Sequence, residues 1–359
     1  MTVDGPALVR IAQLRGRIAA FARGGHYELV EGLLGDLIRA DLGAGLTTDA
    51  LLRARQTAGL ASARGEPLAR PLVVLAATLL AADALGDALG ASSAAIEHAA
   101  PAERARIEVM ARLIGGAAQR RAGRLADARL LLDAARGAAA RLGENALAGF
   151  ALAELAWVDL GEDHPAAAAT CFEFAAEFLR HARHAASLEA DAIAVAAWAS
   201  ANEPARAEER AAAIVGPAQR AKRADLIAYT DGALADLALR ITPDHAAAAC
   251  GLATQSAQAS RGPNARELIV QARFRQVRTS ADARERARHL EVAVELALAL
   301  DPRRAAARLG AFLFDLLDDA ARVEKPPARP EIGRLVAAID GLGDAELADM
   351  AHAILAELG

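Results

Sequence analysis

Apolar and small residues recur along most of the chain at intervals of three and four residues, which is the spacing of one face of a helix. The segment from Pro6 to Arg23 has this pattern, and Ile11 and Ile18 stand seven residues apart on one of its faces. Runs rich in valine, isoleucine, threonine and aromatic residues, which indicate strands, are essentially absent. The pattern predicts an all-α protein.

Turn-like breaks interrupt the helical pattern at regular positions. They fall at Gly123, Gly161, Asn202, Thr242 and Ser280, so the steps between them are 38, 41, 40 and 38 residues. One alanine-rich amphipathic helix precedes each break and another follows it. A period of this length is typical of an α-solenoid, whose helix pairs bury their apolar faces against neighbouring pairs. We therefore predict a right-handed α-solenoid of antiparallel helix pairs with a period of about 40 residues.

The regularity also predicts how the chain is organised. Residues 102–323 are expected to form the repeat array, and residues 1–101 an N-terminal helical subdomain that is out of phase with it. Three prolines between residues 324 and 330 predict a linker, because proline cannot continue a helix. Residues 331–359 are expected to form a helical hairpin that caps the array, since the end of a solenoid exposes an apolar face.

The N-terminal part departs from the period in one place. The step from Gly65 to Gly123 is 58 residues, about one helix too long. Glycines and serines from Gly86 onward indicate a looser region there, and an extra short helix at about residues 94–99 would account for the length. Upstream of this region, Thr47 opens a run that is predicted to cap the third helix.

Composition narrows the class of protein. Apolar residues make up 54% of the chain and charged residues 24%, which is typical of an ordered protein. The net charge of −5 gives no support for nucleic-acid binding. The longest apolar run, Leu72 to Ala82, is about half the length of a transmembrane helix. Cys171 and Cys250 match no metal or redox spacing. We expect a cytoplasmic protein without membrane insertion and without a nucleic-acid partner.

Arginine almost completely replaces lysine, since Lys222 and Lys325 are the only lysines. Arginine makes bidentate contacts with carboxylates and phosphates that lysine does not make. Alanine is enriched in parallel, however, and a GC-rich bacterial genome explains both enrichments together. Composition alone therefore gives individual arginines little weight as functional residues.

Two segments resemble the tetratricopeptide repeat. Leu290, Val294 and Ala297 have the spacing of that family's second helix, which then ends in a similar run, Leu300-Asp301-Pro302. Gly123-Arg124-Leu125 is similar to the turn between its helices, and Gly116 stands where its paired helices touch. The resemblance covers residues 6–41 and 103–323. The period is longer than the family standard, so longer-helix relatives such as those in kinesin light chains or in transcription activators of the maltose-regulator type fit better.

The segment from Asp301 to Ala306 is also compatible with a HEAT-type repeat, and both families form helical solenoids. The tetratricopeptide resemblance implies binding of a protein or peptide along a concave groove that is lined by the first helices of successive pairs. It implies no cofactor.

No phosphate-binding loop, dinucleotide fingerprint, nucleophile elbow or zinc-protease motif occurs in the sequence. Two groups of residues have side chains of the kind that bind metal ions. For both groups we favour an ordinary exposed helix face over a metal site. One group lies along a single predicted helix face, and the other is an aspartate cluster. Their members are Glu173, Glu177, His181 and His184, and Asp315, Asp318 and Asp319.

Candidate partner-binding residues are of two kinds. Arginines on one face of a helix or around a turn can clamp a peptide carboxylate, and tryptophans near the end of a first helix can act as binding hot spots or as packing residues. These candidates are Arg266, Arg273, Arg120, Arg121, Trp157 and Trp198.

The sequence thus predicts a non-catalytic scaffold or adaptor that binds a protein or peptide and needs no metal or cofactor. The alternative is a regulatory solenoid that senses a ligand or peptide and controls an effector protein. A third hypothesis, a metal-dependent all-α enzyme using the face from Glu173 to His184, has less support. Oligomeric state and the identity of the partner stay open.

Overall fold

A computed structural model describes residues 10–18, 27–43, 46–260, 264–280, 282–300, 302–323 and 329–357. Eighteen helices follow one another through these residues, and they contain no strand. The helices are α1 (residues 10–18), α2 (Tyr27–Gly43), α3 (Thr47–Arg64), α4 (Ala69–Ala81), α5 (Leu85–Glu97), α6 (Arg104–Arg121), α7 (Leu125–Arg141), α8 (Asn145–Gly161), α9 (Pro165–His181), α10 (Ala186–Ser200), α11 (Pro204–Arg220), α12 (Ala224–Ile241), α13 (Pro243–Ala259), α14 (Ala265–Thr279), α15 (Ala283–Leu298), α16 (Pro302–Val323), α17 (Arg329–Asp340) and α18 (Ala345–Glu357).

The middle of the chain repeats a unit of about twenty residues, in which a helix of 15 to 18 residues is followed by a turn of three or four residues. The second residue of each turn has a positive φ. Successive residues of this kind are 20, 20, 20, 19 and 20 positions apart, and they are Gly123, Gly143, Asp163, Arg183, Asn202 and Lys222. The 40-residue period of the sequence is therefore two such units, and both turns of a repeat have the same geometry.

Each of these turns is closed by the same two backbone hydrogen bonds. After α6, the Gly123 N–H donates to the Arg120 carbonyl at 3.0 Å, and the Arg124 N–H donates to the Gln119 carbonyl at 2.9 Å. This Schellman arrangement satisfies carbonyls at the helix end and places the chain at the start of the next helix. It needs one residue in the left-handed region, which glycine adopts without strain and other residues adopt at a cost.

The even-numbered helices lie side by side. In the first part of the chain α2 contacts α4, α4 contacts α6, and α6 contacts α8; further on, α12 contacts α14 and α14 contacts α16. Each of these helices also packs against the odd-numbered helices before and after it in sequence. Because they have neighbours on several sides, α6 and α8 bury eight residues each, whereas α7 buries four. The fold is an all-α solenoid in which helices contact one another in chain order.

Glycine allows the closest helix contacts. A Cβ at Gly116 of α6 would lie 2.6 Å from Leu132 Cγ on α7, and a Cβ at Gly149 of α8 would lie 2.7 Å from Leu179 Cγ on α9. Both leucines are almost fully buried and have no room to move. The prediction that Gly116 stands where paired helices touch is confirmed.

Arginines connect neighbouring repeats. Their guanidinium groups bond to carboxylates that lie 30 to 41 residues away in sequence, on a helix of the adjoining repeat. These pairs are Arg120–Glu154, Arg129–Asp159, Arg275–Asp236 and Arg308–Glu267. The arginines that composition left without a role thus form the polar connections between one repeat and the next.

The chain divides into two compact units, Thr2–Ala197 and Trp198–Gly359. In the second unit, the hairpin α17–α18 packs against α16, and Ile332, Leu335 and Ile339 are fully buried there. The division into units does not test the predicted boundaries of the repeat array, which stay predictions. Most of the predicted linker, residues 324–328, lies outside the described residues.

Two expectations for the N-terminal part are wrong. The segment predicted to be loose forms the regular helix α5, because packing of Ala88, Ser92 and Ala95 in the core outweighs the low helix propensity of its glycines. The third helix has no side-chain cap, since Thr47 is already its first helical residue and Leu46 precedes it. Within the described residues, no helix is long and apolar enough to cross a membrane.

The close contact at Gly116 gives a stability prediction. We expect Gly116→Ala to lower the free energy of unfolding by about 1–3 kcal/mol, because the added methyl group overlaps Leu132. Gly59 is the matched control, since it lies inside α3 with nothing within 4 Å of its Cβ position. Gly59→Ala should raise stability by about 0.5–1 kcal/mol. Denaturant unfolding of both variants checks the prediction, and a loss of similar size at both sites would contradict it.

The repeated turn gives a second prediction. Lys222 has a φ of 56°, a conformation that costs a non-glycine residue about 1–2 kcal/mol. Lys222→Gly should therefore shift the denaturation midpoint upward, with a net gain of about 0.5 kcal/mol after the larger chain entropy of glycine is subtracted. Lys222→Ala is the control for loss of the side chain and should give no gain. Equal effects of glycine and alanine would argue against the turn as the cause.

Candidate functional site

Of the six candidate residues, Arg120 and Trp157 lie next to each other in the structure. Arg120 Nε of α6 donates to Glu154 Oε2 of α8 at 2.8 Å, and its guanidinium carbon lies 5.9 Å from the centre of the Trp157 ring. Trp157 is 37% exposed and packs edge-on against the buried ring of Phe172 at 5.4 Å. This tryptophan thus combines packing with an exposed surface beside an ion pair.

Trp198 is a packing residue. It is only 3% exposed, and the guanidinium of Arg206 lies over its ring at 4.5 Å from the ring centre. The ring fills space near the start of the second unit, and the exposed arginine covers it.

Arg121 hydrogen-bonds to the end of another helix. Its side chain donates to the Leu80 carbonyl in the last turn of α4, 41 residues earlier in the sequence. Arg240 at the end of α12 does the same for the Ala199 carbonyl in the last turn of α10, again 41 residues earlier. The repeated separation indicates a structural role for both arginines, since each adds a second hydrogen bond to a carbonyl that already accepts a backbone N–H in the turn after its helix.

Arg266 and Arg273 of α14 both bond to groups of the protein itself. Arg266 donates to the Ala299 carbonyl after α15 at 2.9 Å. Arg273 donates to the side chain of Gln276 and lies 3.4 Å from Nδ1 of His289 on α15. A ligand carboxylate would have to displace these contacts. Binding of a peptide carboxylate by these two arginines therefore stays a prediction.

The face from Glu173 to His184 has internal partners as well. Nδ1 of His181 lies 2.9 Å from the Glu177 carbonyl, and Nδ1 of His184 accepts from the Ala186 N–H. In the aspartate cluster, Asp315 pairs with Arg278 at 3.1 Å, and the side chains of residues 318 and 319 are outside the described set.

One group of possible ligands was missed by the sequence analysis. Asp159, Glu162 and His164 bring their ligand atoms within 4.8 Å of one another at the end of α8. Arg129 already bridges the two carboxylates, at 2.6 and 2.7 Å, so this group is an ion-pair cluster. Burial raises the pKa of the neighbouring Cys171 thiol to about 11, and the Asp159 carboxylate adds to the effect. A thiol of this kind is a poor nucleophile at neutral pH.

A cavity of about 310 Å³ lies in the second unit, which we call the α11–α13 pocket. The helix α12 provides the largest share of its lining, and α11 and α13 provide most of the rest. Leu234, Leu237 and Ala238 make an apolar surface inside it. Ile241 and Leu252 also line the pocket, although they are 41% and 61% exposed. Large apolar side chains that stay exposed around a concave site make it a candidate binding surface.

Two carboxylates line the same pocket. Asp231 of α12 is fixed by Ser256 of α13, whose hydroxyl donates to Asp231 Oδ2. Glu208 of α11 is exposed and has no hydrogen-bond or ion-pair partner among the described residues. His245 is the remaining titratable residue of the lining. The pocket is therefore apolar inside with a negative charge at two places.

The helices α9 and α13 begin alike but differ in one buried side chain. Both begin with proline, at Pro165 and Pro243, 78 residues apart. Phe172 of α9 is fully buried and supports Trp157. The residue 78 positions after Phe172 is Cys250, which is also buried, so α13 lacks this aromatic ring. No local sequence motif signals the pocket, because residues of three helices form it.

A buried ion pair lies on α12 and α14. Arg275 is 9% exposed and makes two hydrogen bonds to Asp236, at 2.7 and 2.6 Å. Burial alone would lower the pKa of the Arg275 guanidinium, but Asp236 more than offsets this, so the pKa is raised and the charge is kept. A Cβ at Gly232 would lie 2.9 Å from the guanidinium, so glycine is what makes room for it.

The ion pair gives a third stability prediction. Asp236→Ala leaves the Arg275 charge buried without a counter-ion, and we expect a loss of about 3 kcal/mol, since Asp236 is itself one third exposed. The double variant Asp236→Leu with Arg275→Met removes both charges and should recover part of this loss. Denaturant unfolding measures both variants. A double variant less stable than the single one would show that the cost is not an unpaired charge.

Fold and contacts place the chain among all-α helical-repeat proteins. No protein-family model matches it, and no curated protein sequence matches it. A circular tandem repeat protein with novel repeat topology and enhanced subunit contact surfaces aligns with 97% of this chain and 88% of its own, at 16% identity and a TM-score of 0.18. The structure of Naa15/Naa10 bound to HypK-THB aligns with 97% of this chain at 12% identity and a TM-score of 0.17. The alignment spans 64% of that chain, which is less than two thirds. TM-scores of this size carry no argument about function.

Proposed function

We propose that this chain is a non-catalytic scaffold that binds a protein or peptide, and that the α11–α13 pocket is part of its binding surface. The pocket is the observation that supports the proposal most directly. It combines an apolar interior with exposed aliphatic side chains, Ile241 and Leu252, at a place where packing leaves room for a ligand. Such surfaces receive apolar anchor residues of a partner.

The residues around the pocket favour binding over catalysis. A reaction needs a nucleophile or a general base held beside its own activating group. The Ser256 hydroxyl donates to Asp231, and among the described residues no histidine hydrogen-bonds to that pair. The resemblance to longer-helix tetratricopeptide proteins supports the same proposal.

A small-ligand sensor is the second candidate function, and the same pocket favours it. Ligand pockets for small molecules start at about 300 Å³, so 310 Å³ is just large enough. In this alternative the pocket binds a metabolite or a short peptide. Binding then changes the conformation of the repeats, and this change regulates an effector protein.

Affinity capture with the full-length chain tests the proposed function. The tagged protein is expressed in the cells that naturally contain it, alongside Leu252→Asp, which places a charge in the pocket. Leu130→Asp is the matched control, because Leu130 is 73% exposed on α7 in the other unit. We expect a protein partner that co-purifies in stoichiometric amount with wild type and Leu130→Asp, and at least tenfold less with Leu252→Asp.

The alternatives have their own outcomes in the same experiment. Native mass spectrometry of the purified chain detects a bound metabolite, which would favour the sensor. A stoichiometric transition metal together with turnover would overturn the non-catalytic proposal. Equal capture by all three proteins would place the binding surface outside the pocket.

A further inference from the structure

The charges of the α11–α13 pocket narrow the chemistry of its occupant. Glu208 and Asp231 line it, and no lysine or arginine is among the residues that do. We infer that the pocket takes a basic amphipathic peptide segment, with an aliphatic side chain in the apolar interior and a lysine or arginine against these carboxylates. This inference rests on the proposed function, since it names the class of peptide that the scaffold binds.

The nearest arginines in the sequence, Arg206, Arg210 and Arg240, do not line the pocket. Arg206 lies over the Trp198 ring, and Arg240 donates to the Ala199 carbonyl and to the side chain of Asn202. Glu208, in contrast, has no hydrogen-bond or ion-pair partner among the described residues. The carboxylates of Glu208 and Asp231 are therefore the charged groups that an occupant of the pocket contacts, and they favour a cationic segment over an acidic one.

Asp231 also has the geometry of a positioned acceptor. The Ser256 hydroxyl donates to its Oδ2 atom and so holds the carboxylate in place. The Oδ1 atom is left to accept from a ligand, and a fixed carboxylate loses little entropy when it binds an ammonium or guanidinium group.

The dimensions indicate a segment of peptide. Asp231 and Ile241 are ten residues apart on α12, which corresponds to about 15 Å along the helix axis. That distance matches about three turns of a bound helix or about five residues of an extended strand. The volume lies at the lower limit for drug-sized ligands, so it suits one or two side chains of a longer molecule.

Selection from a phage-displayed library of random 16-residue peptides tests the inference. The full-length chain and Leu252→Asp are used as targets in parallel. We expect peptides selected only by the wild type to carry leucine, isoleucine or methionine with lysine or arginine within one or two helical turns. A dominant peptide from this set is then synthesised with a fluorescent label, and its binding is measured by fluorescence anisotropy.

Charge variants identify the residues that contact the peptide. Glu208→Gln should weaken binding of the labelled peptide by about threefold to fivefold, as expected for an exposed charge pair. Asp231→Asn keeps the acceptor for Ser256 and should weaken it by a similar factor. Glu209→Gln is the matched control, since Glu209 is the next residue of α11, is exposed and does not line the pocket. Circular dichroism checks that each variant keeps its helix content and melting profile.

The outcomes separate this inference from the proposed function. The inferred chemistry would be overturned if the peptides that depend on the pocket are acidic or uncharged. It would also be overturned if they bind Glu208→Gln and Asp231→Asn as tightly as the wild type. Neither result would contradict the proposed scaffold function. Peptides that bind Leu252→Asp equally well would overturn the pocket as the site. If the library gives no binder and affinity capture finds no protein partner, the proposed function fails as well.

Discussion

Close contact between neighbouring helices is the constraint on which the structure depends. Only 3% of the residues are aromatic, so alanine, leucine and glycine fill the core. Small side chains bury little area each, and they stabilise a stack only when helix backbones approach closely. Gly116 and Gly149 show how little room is left, since a single added methyl group at either position would overlap a buried leucine.

The uniform turn makes this contact possible along the chain. The turns after α6 to α11 share one pair of backbone hydrogen bonds and one residue of positive φ, so each of these helices ends in the same way. Arginine side chains then connect one repeat to the next, either to carboxylates or to helix-end carbonyls such as that of Leu80.

Several features followed from the sequence because they depend on local patterns. The alanine-rich amphipathic helix that was predicted to follow the Gly123 break is α7, since the three-residue and four-residue spacing of its apolar positions needs no tertiary information. Gly123 was recognisable as a turn because glycine adopts positive φ freely. The positive φ of Lys222 was not recognisable, because lysine adopts this conformation only when the surrounding helices fix it.

The sequence by itself determined the all-α class, the positions of most helices and the 40-residue period, because helix propensity and apolar spacing are encoded within a few turns of chain. Only the tertiary structure decided which partners the arginines have and where the α11–α13 pocket lies. It also decided that Trp198 is buried whereas Trp157 is partly exposed. These features join residues that lie about one or two repeats apart. They depend on which side chains meet in a close-packed interior, and a local pattern of apolar positions does not encode those meetings.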